Sequence, residues 1–208
     1  MQLLDLDAFE QASLQRDPCD FIVVPAFVKP EALPAVNRDY PDIDVPGNFE
    51  PETVRYGPVF AELLAELRSP ELKQRFAAKF GLDIDPLPLQ LTVRKFSEAA
   101  DGNVHNDSKT KIITVLIYFN ETWPHAGGRL RLMKTPQSLD QYAVEVPPVG
   151  GTMLAFRRSE TSFHGFVPVE GERRSLQMYW VKPKREGRND KRIGFKTRIK
   201  RLLKVRKR

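Results

Sequence analysis

Apolar positions in the first part of the chain follow helical spacing. Leucines recur three and four residues apart over 59–67, which predicts a helix there. A second helix is predicted over 70–80, because Ser69-Pro70 resembles an N-cap followed by proline at the first helical position, and Gly81 is a residue type that commonly ends helices. Upstream, the pattern predicts a strand over 21–28, a helix from about residue 30 and a loop over 41–58.

After Gly81 the apolar residues recur at every second position. Residues 87–96 alternate, and 111–119 is a run of β-branched and aromatic residues, so both segments are predicted strands. Shorter strands are predicted over 129–133, 142–146, 151–156, 161–166 and 173–181. Helices followed by many short strands indicate a mainly β fold with flanking α-helices, a barrel or sandwich. We therefore expect a helical part over 1–86 and a β core over 87–181.

Charge divides the 208-residue chain into two unequal parts. The formal net charge of +6 comes from 33 Lys and Arg against 27 Asp and Glu. Residues 182–208 contain 14 of the basic residues and two acidic ones, a net of +12, which leaves −6 for residues 1–181. The sequence thus predicts one mildly acidic domain over 1–181 followed by a basic tail over 182–208.

The tail combines its cations with an apolar stripe. Phe195, Ile199, Leu202 and Leu203 share one face of a helix, which predicts a basic amphipathic helix that docks on an anionic membrane surface or an acidic partner. A solvated tail without a partner is the alternative. Nucleic acid is disfavoured as a partner, because Phe195 is the sole aromatic residue among these cations.

Several classes of protein are excluded by composition. No apolar run approaches the roughly 20 residues of a membrane span, and the acidic N-terminus lacks the basic start of a secretory signal. Cys19 is the one cysteine, which rules out an internal disulfide framework and cysteine-cluster metal sites. A cytoplasmic location follows as the prediction, with peripheral membrane attachment through the tail.

Two of the three histidines lie in settings that suit metal binding. His105 and Asp107 are two residues apart, so on an extended segment both side chains face one way. His164 lies in a predicted strand further along. Two imidazoles and one carboxylate would occupy one face of an octahedral iron and leave three positions open. The alternatives are a loop hydrogen bond for the first pair and a buried core histidine for His164.

Arg174 follows His164 across a predicted turn at 170–172. On a hairpin of this length the two residues lie on neighbouring strands, and their even separation permits a common face. The planar guanidinium binds a carboxylate with two parallel hydrogen bonds. A metal beside such an arginine suits a 2-oxo dicarboxylic acid. Arg173 is the competing residue, because a one-residue shift of register would exchange the two faces.

The order of motifs over 87–181 resembles the Fe(II)/2-oxoglutarate-dependent dioxygenases, specifically the prolyl-4-hydroxylase-like branch. The resemblance rests on His105-x-Asp107, the strand over 114–120, Gly127-Gly128 with the strand to 132, the segment 150–156, His164 with 167–169, and the stretch from Gly171 through Arg174 to Trp180. It implies a double-stranded β-helix (jelly-roll) core. Arg174 is preferred over Arg173 because it lies six residues before Trp180, as in the family pattern.

The resemblance also implies an activity and a set of roles. His105, Asp107 and His164 would be the catalytic metal ligands for Fe(II), and Arg174 would bind the distal carboxylate of 2-oxoglutarate. Tyr118 would hydrogen-bond the same carboxylate, with a plain core aromatic as its alternative. The implied reaction consumes O2, converts 2-oxoglutarate to succinate and CO2, and hydroxylates an unidentified substrate, peptidyl proline or a small molecule. The alternative function is a catalytically silent jelly-roll that docks through its basic tail.

Overall fold

Two antiparallel sheets of unequal size form the core of the protein. The structure, a computed structural model, describes residues 2–183, and the amphipathic helix predicted in the tail lies outside them. The strands are β1 (Phe21–Val24), β2 (Leu89–Ser97), β3 (Lys111–Tyr118), β4 (Leu130–Met133), β5 (Tyr142–Val146), β6 (Met153–Arg157), β7 (His164–Gly165) and β8 (Gly171–Val181). The larger sheet has the order β1-β6-β3-β8-β2 and the smaller one β5-β4-β7. The mainly β fold is therefore confirmed.

Helices cover one face of the larger sheet. They are α1 (Leu6–Gln11), α2 (Leu33–Arg38), α3 (Pro58–Leu67) and α4 (Pro70–Phe80), with a 3-10 turn at Pro51–Thr53. The Phe76 ring of α4 lies 4.8 Å from that of Phe9 in α1 and 4.9 Å from that of Trp180 in β8, measured between centroids. Tilted aromatic pairs at this spacing stabilise the layer beyond the apolar area that they bury.

The ends of α4 follow the prediction from the sequence. The Ser69 side chain accepts a hydrogen bond from the backbone N–H of Leu72, 3.2 Å away, and Pro70 begins the helix. Gly81 ends it in the left-handed conformation, with φ of +61°. Glycine reaches this conformation without the steric penalty that other residues meet.

The central strand β3 sends alternate side chains to opposite layers. Ile113, Val115 and Ile117 are fully buried against the helices. Leu116 and Tyr118 belong to the second apolar cluster, between the two sheets. A strand buried on both faces loses the polar alternation of a half-exposed one, which accounts for the nearly unbroken apolar run in the sequence.

The inner face of β2 and β8 is polar instead. Gln90 pairs with Tyr179 across the ladder, and Thr92 pairs with Gln177. These side chains border two neighbouring cavities. The larger sheet therefore offers an apolar layer at one end of its inner face and a hydrogen-bonding surface at the other.

Some element boundaries differ from the prediction. The predicted strand over 161–166 is reduced to the two residues of β7, and helix α1 was not predicted. None of the helices within residues 2–183 is long and apolar enough to cross a membrane.

Candidate metal centre

Three predicted ligands meet at one point between the sheets. Nitrogen or oxygen atoms of His105, Asp107 and His164 all lie within 4.8 Å of one another. His105 and His164 form an isolated antiparallel bridge in which each backbone N–H donates to the other's carbonyl, at 3.0 and 2.9 Å. The backbone thus places the two imidazoles side by side, with ring centroids 4.3 Å apart.

Each histidine ring is oriented by a backbone carbonyl. Nδ1 of His105 lies 2.8 Å from the Asn103 oxygen, and Nδ1 of His164 lies 3.0 Å from the Ser162 oxygen. A carbonyl oxygen accepts from N–H, so this contact favours the tautomer with the proton on Nδ1. The Nε2 lone pair of both rings is then left for a metal, as in many metal-ligating histidines.

Burial keeps His164 in the protonation state that binds metals. Its removal from water lowers the pKa of the imidazole to about 4, although the nearby Asp107 carboxylate opposes this shift. The ring is therefore neutral near pH 7.

Both oxygens of the Asp107 carboxylate have a donor on or beside β3. The Thr114 hydroxyl donates to Oδ2 at 2.6 Å, and the Lys111 ammonium lies 2.7 Å from Oδ1. Burial alone would raise the pKa of Asp107, but the neighbouring His164, Lys111 and Thr114 outweigh it and hold the pKa below its usual range. The carboxylate is therefore ionised and able to act as a ligand.

The donor set fits iron. Two neutral imidazoles and one carboxylate are the ligands of non-haem Fe(II) sites that keep open coordination positions. The three side chains border a cavity of about 370 Å³, which gives a bound metal room for further ligands.

Arg173 extends into the same cavity. The residue is 4% exposed, its Nε donates to the Gly128 carbonyl at 2.8 Å, and its guanidinium lies 4.4 Å from the Phe166 ring centroid. Its Nη2 atom is buried and has no hydrogen-bond partner among the described residues. Leaving a charged donor unpaired inside a protein is costly, so this atom is a candidate contact for an anionic ligand.

Arg174 does not share this cavity, so the prediction that it lies on the face of His164 is wrong. Its guanidinium borders a different cavity, where Nη1 donates to the Asn37 carbonyl at 3.2 Å and Nε pairs with Glu172. The prediction assumed that His164 and Arg174 lie on neighbouring strands of one hairpin. The structure assigns β7 to the smaller sheet and β8 to the larger one, so parity between them does not determine a common face.

Tyr118 and Ser175 add two more unpaired groups beside Arg173. They lie opposite each other across the β3–β8 ladder, both fully buried, and neither side-chain oxygen has a hydrogen-bond partner among residues 2–183. The Arg173 guanidinium lies 5.2 Å from the Tyr118 ring centroid. Burial raises the pKa of Tyr118, with the Arg173 charge acting against it, so the hydroxyl keeps its proton as a donor.

A signal for the arginine was present in the sequence. On β8, Arg173 alternates with the polar residues Ser175, Gln177 and Tyr179, whereas Arg174 alternates with the apolar Leu176, Met178 and Trp180. The apolar set packs against the helices, whereas Arg173, Gln177 and Tyr179 of the polar set border the cavities. Sequence reasoning also missed Lys111 and Thr114, which lie at the start of a strand with no motif of their own.

His125, the third histidine, lies away from the metal ligands. It borders the cavity of Arg174, and its ring packs edge-on against Trp123 with centroids 5.0 Å apart.

Comparisons with known proteins agree with this geometry. Residues 92–182 match the family model of the 2OG-Fe(II) oxygenase superfamily. No curated protein shows significant sequence similarity to the chain.

Three solved structures of similar fold are prolyl hydroxylases. The prolyl-4-hydroxylase of Pseudomonas putida has a TM-score of 0.55 and 20% identity, covering 85% of this chain and 90% of its own. A prolyl 4-hydroxylase of Phytophthora capsici has a TM-score of 0.54 and 19% identity, covering 89% and 68%. The viral collagen prolyl hydroxylase of Paramecium bursaria Chlorella virus-1, solved with 2OG, has a TM-score of 0.52 and 14% identity, covering 79% and 96%.

These matches confirm the jelly-roll core and indicate Fe(II), 2-oxoglutarate and O2 as the cofactor and co-substrates. Residues 92–182 are therefore similar to the 2OG-Fe(II) oxygenase superfamily.

Proposed function

We propose that the protein is a 2-oxoglutarate-dependent hydroxylase in which His105, Asp107 and His164 hold Fe(II). The observation that carries this proposal is a single cavity that joins a metal-type ligand set to the unpaired guanidinium of Arg173. When bound, Fe(II) with 2-oxoglutarate and O2 supplies the oxidation that converts a C–H bond to C–OH and 2-oxoglutarate to succinate and CO2.

Arg173, Tyr118 and Ser175 would bind the distal carboxylate of 2-oxoglutarate. Each has a buried polar atom without a partner, and a carboxylate accepts several hydrogen bonds at once. The pairing would satisfy the guanidinium charge and hold the co-substrate with its 2-oxo end toward the metal ligands. This assignment replaces Arg174 with Arg173 and retains Tyr118.

Apolar side chains also line the cavity that contains the proposed metal ligands and Arg173. Leu116 of β3 and Leu130 of β4 line the same cavity from opposite sheets. They would contact the methylene groups of 2-oxoglutarate and exclude water from that part of the site. Excluding water protects the reaction from unproductive side reactions.

The substrate is proposed to be a peptidyl proline. Support comes from the prolyl hydroxylases of similar fold. It also comes from the polar inner face of β2 and β8, where Thr92, Gln177 and Tyr179 border the adjoining cavities. A peptide backbone offers hydrogen-bonding groups to such a surface along its length.

Succinate formation tests the activity. Under air, the wild type with Fe(II), 2-oxoglutarate and a panel of proline-containing peptides should form succinate and a product heavier by one oxygen atom. Without oxygen, Fe(II) and 2-oxoglutarate should give a weak visible charge-transfer band that disappears in His105→Ala and persists in the control His125→Ala. If the wild type gives neither band nor succinate, the proposal is wrong; turnover with small molecules alone would replace the peptide.

For the basic tail, we propose a role in holding an anionic membrane surface or acidic partner near the cavity. The +12 charge of residues 182–208 supports attraction to anions. The Lys182 N–H donates to the Thr110 carbonyl at 2.8 Å, three residues from Asp107, so the tail begins beside the site. Ending the chain at residue 183 should abolish salt-sensitive binding to anionic vesicles. Such binding by a wild type without turnover would favour the silent binding protein instead.

A further inference from the structure

Two residues of β3 hold the Asp107 carboxylate, and their chemistry differs. We propose that Thr114 positions this carboxylate for the metal, while Lys111 competes with the metal for it. The inference rests on the metal centre of the proposed function. It assigns opposite effects on metal affinity to two side chains that contact the same ligand.

The position and burial of Thr114 suit it to orient the Asp107 carboxylate. Its side chain lies on the inner face of β3, the residue is 2% exposed, and its hydroxyl donates to Oδ2 of Asp107 at 2.6 Å. A β-branched side chain on a paired strand has little rotational freedom. This donor therefore restricts the rotation of the carboxylate and leaves the other oxygen, Oδ1, available to a metal.

Lys111 contacts that other oxygen. Its ammonium lies 2.7 Å from Oδ1, and its side chain is 20% exposed. The same ammonium lies 4.3 Å from the centroid of the Tyr179 ring, a distance typical of cation–π contact. Backbone pairing of Lys111 with Val181 anchors the residue at the edge of the cavity.

The other charged side chains around the cavity do not form ion pairs with Lys111. Arg94 pairs with Asp101, and Arg173 lies deeper, beside Tyr118. Within residues 2–183, the ion pair of Lys111 is with Asp107. The ammonium and a metal would therefore share one carboxylate.

Two cations that share one carboxylate weaken each other's binding. The ammonium already neutralises the carboxylate and repels a dication a few ångströms away, and this repulsion is strong where water is largely excluded. A neutral side chain of similar length removes the competition. Loss of the Thr114 hydroxyl acts in the other direction, because the carboxylate loses its fixed rotation and one oxygen loses its donor.

Mn(II) binding to the full-length protein without 2-oxoglutarate tests the inference. The spectroscopic signal of free Mn(II) gives the dissociation constant without any turnover. Lys111→Met should bind Mn(II) about tenfold more tightly than the wild type, and Thr114→Val should bind it about tenfold more weakly. Thr114→Ser, which keeps the hydroxyl, should recover most of the affinity.

Matched variants separate charge from packing. Lys109→Met removes a lysine two residues before Lys111 that is 81% exposed and lies 3.6 Å from Glu160, so the affinity of this variant should equal that of the wild type. Lys111→Gln keeps a hydrogen-bond donor without the charge and should also bind more tightly. Thermal unfolding of each metal-free variant verifies that it is folded.

Equal or weaker Mn(II) binding by both folded Lys111 variants would overturn the competition. Unchanged binding by Thr114→Val would overturn the positioning role. A wild type that binds no Mn(II) would instead remove the metal centre, and with it the proposed function. Tight wild-type binding with unchanged variants would leave that function intact and reject this inference alone.

Discussion

Arg173 and Arg174 are neighbours in the chain but lie in different cavities on opposite faces of β8. Arg173 is buried in the cavity of the metal ligands, and Arg174 borders a second cavity beside Asn37. The pair therefore provides an internal control for the assignment of the co-substrate site, since one substitution can be made at each of two adjacent arginines.

Arg173→Gln should impair the use of 2-oxoglutarate far more than Arg174→Gln. Loss of a buried charged donor to a carboxylate should raise the KM for 2-oxoglutarate about 100-fold, whereas Arg174→Gln should change it less than about threefold. Succinate formation over a range of 2-oxoglutarate concentrations measures both values. Reversed sensitivities would restore Arg174 as the ligand.

Tyr118→Phe and Ser175→Ala should each weaken 2-oxoglutarate binding by a smaller factor. One neutral hydrogen bond contributes about 1 kcal/mol, which corresponds to about a fivefold change in affinity. Both side chains are fully buried without partners, so neither substitution breaks an existing hydrogen bond among the described residues. Calorimetric titration of the Mn(II)-loaded protein with 2-oxoglutarate measures the change. Unaltered affinity in both variants would exclude these groups from the site.

Without added metal, the protein should lose stability as the pH falls from about 6.5 to about 4. The unfolded His164 takes up a proton near the ordinary pKa of 6.5, while burial keeps the folded ring neutral down to about 4. Protonation thus favours the unfolded chain throughout this window, by on the order of 3 kcal/mol at its acidic end. Denaturant unfolding at several pH values measures this loss. The free energy of unfolding should fall less steeply with decreasing pH in His164→Gln than in the wild type, and His125→Gln should behave like the wild type.

The Gly150-Gly151 turn should tolerate alanine at its first position much better than at its second. Both residues have positive φ, +60° and +68°. A Cβ at Gly151 would lie 2.4 Å from the Val28 carbonyl oxygen, whereas one at Gly150 would meet nothing within 4 Å. Gly150→Ala should cost about 1–2 kcal/mol through its conformation alone. Gly151→Ala should cost clearly more in urea unfolding, and equal costs would contradict the close approach.

Elements with local determinants were predictable from the sequence. Helix α4 has an N-cap at Ser69 and a left-handed glycine at Gly81, and both features act within one turn of the chain. Helix α1 has a single buried residue, Phe9, over six positions, which is too short a pattern to show helical spacing. Its position depends on contacts with Phe27 and Phe76, residues remote in sequence.

The proposed metal ligands follow more directly from the sequence than the proposed co-substrate contacts. His105 and Asp107 are separated by one residue, so their common orientation follows from local geometry. The choice between Arg173 and Arg174 depends on which sheet contains β7, and this is decided by its pairing with β4. The role proposed for Lys111 depends on its contact with Asp107, and no sequence-spacing rule indicates that contact.

The bridge between His105 and His164 would couple release of an ion from the proposed site to movement of the backbone. The backbone N–H of each histidine donates a hydrogen bond to the carbonyl of the other. These two hydrogen bonds resist separation of the two backbone segments. We expect a bound ion to slow amide exchange at both residues, because leaving the ligand set and breaking these bonds become linked events. The residence time of the ion would then depend on how often this small region opens, a kinetic property separate from its affinity.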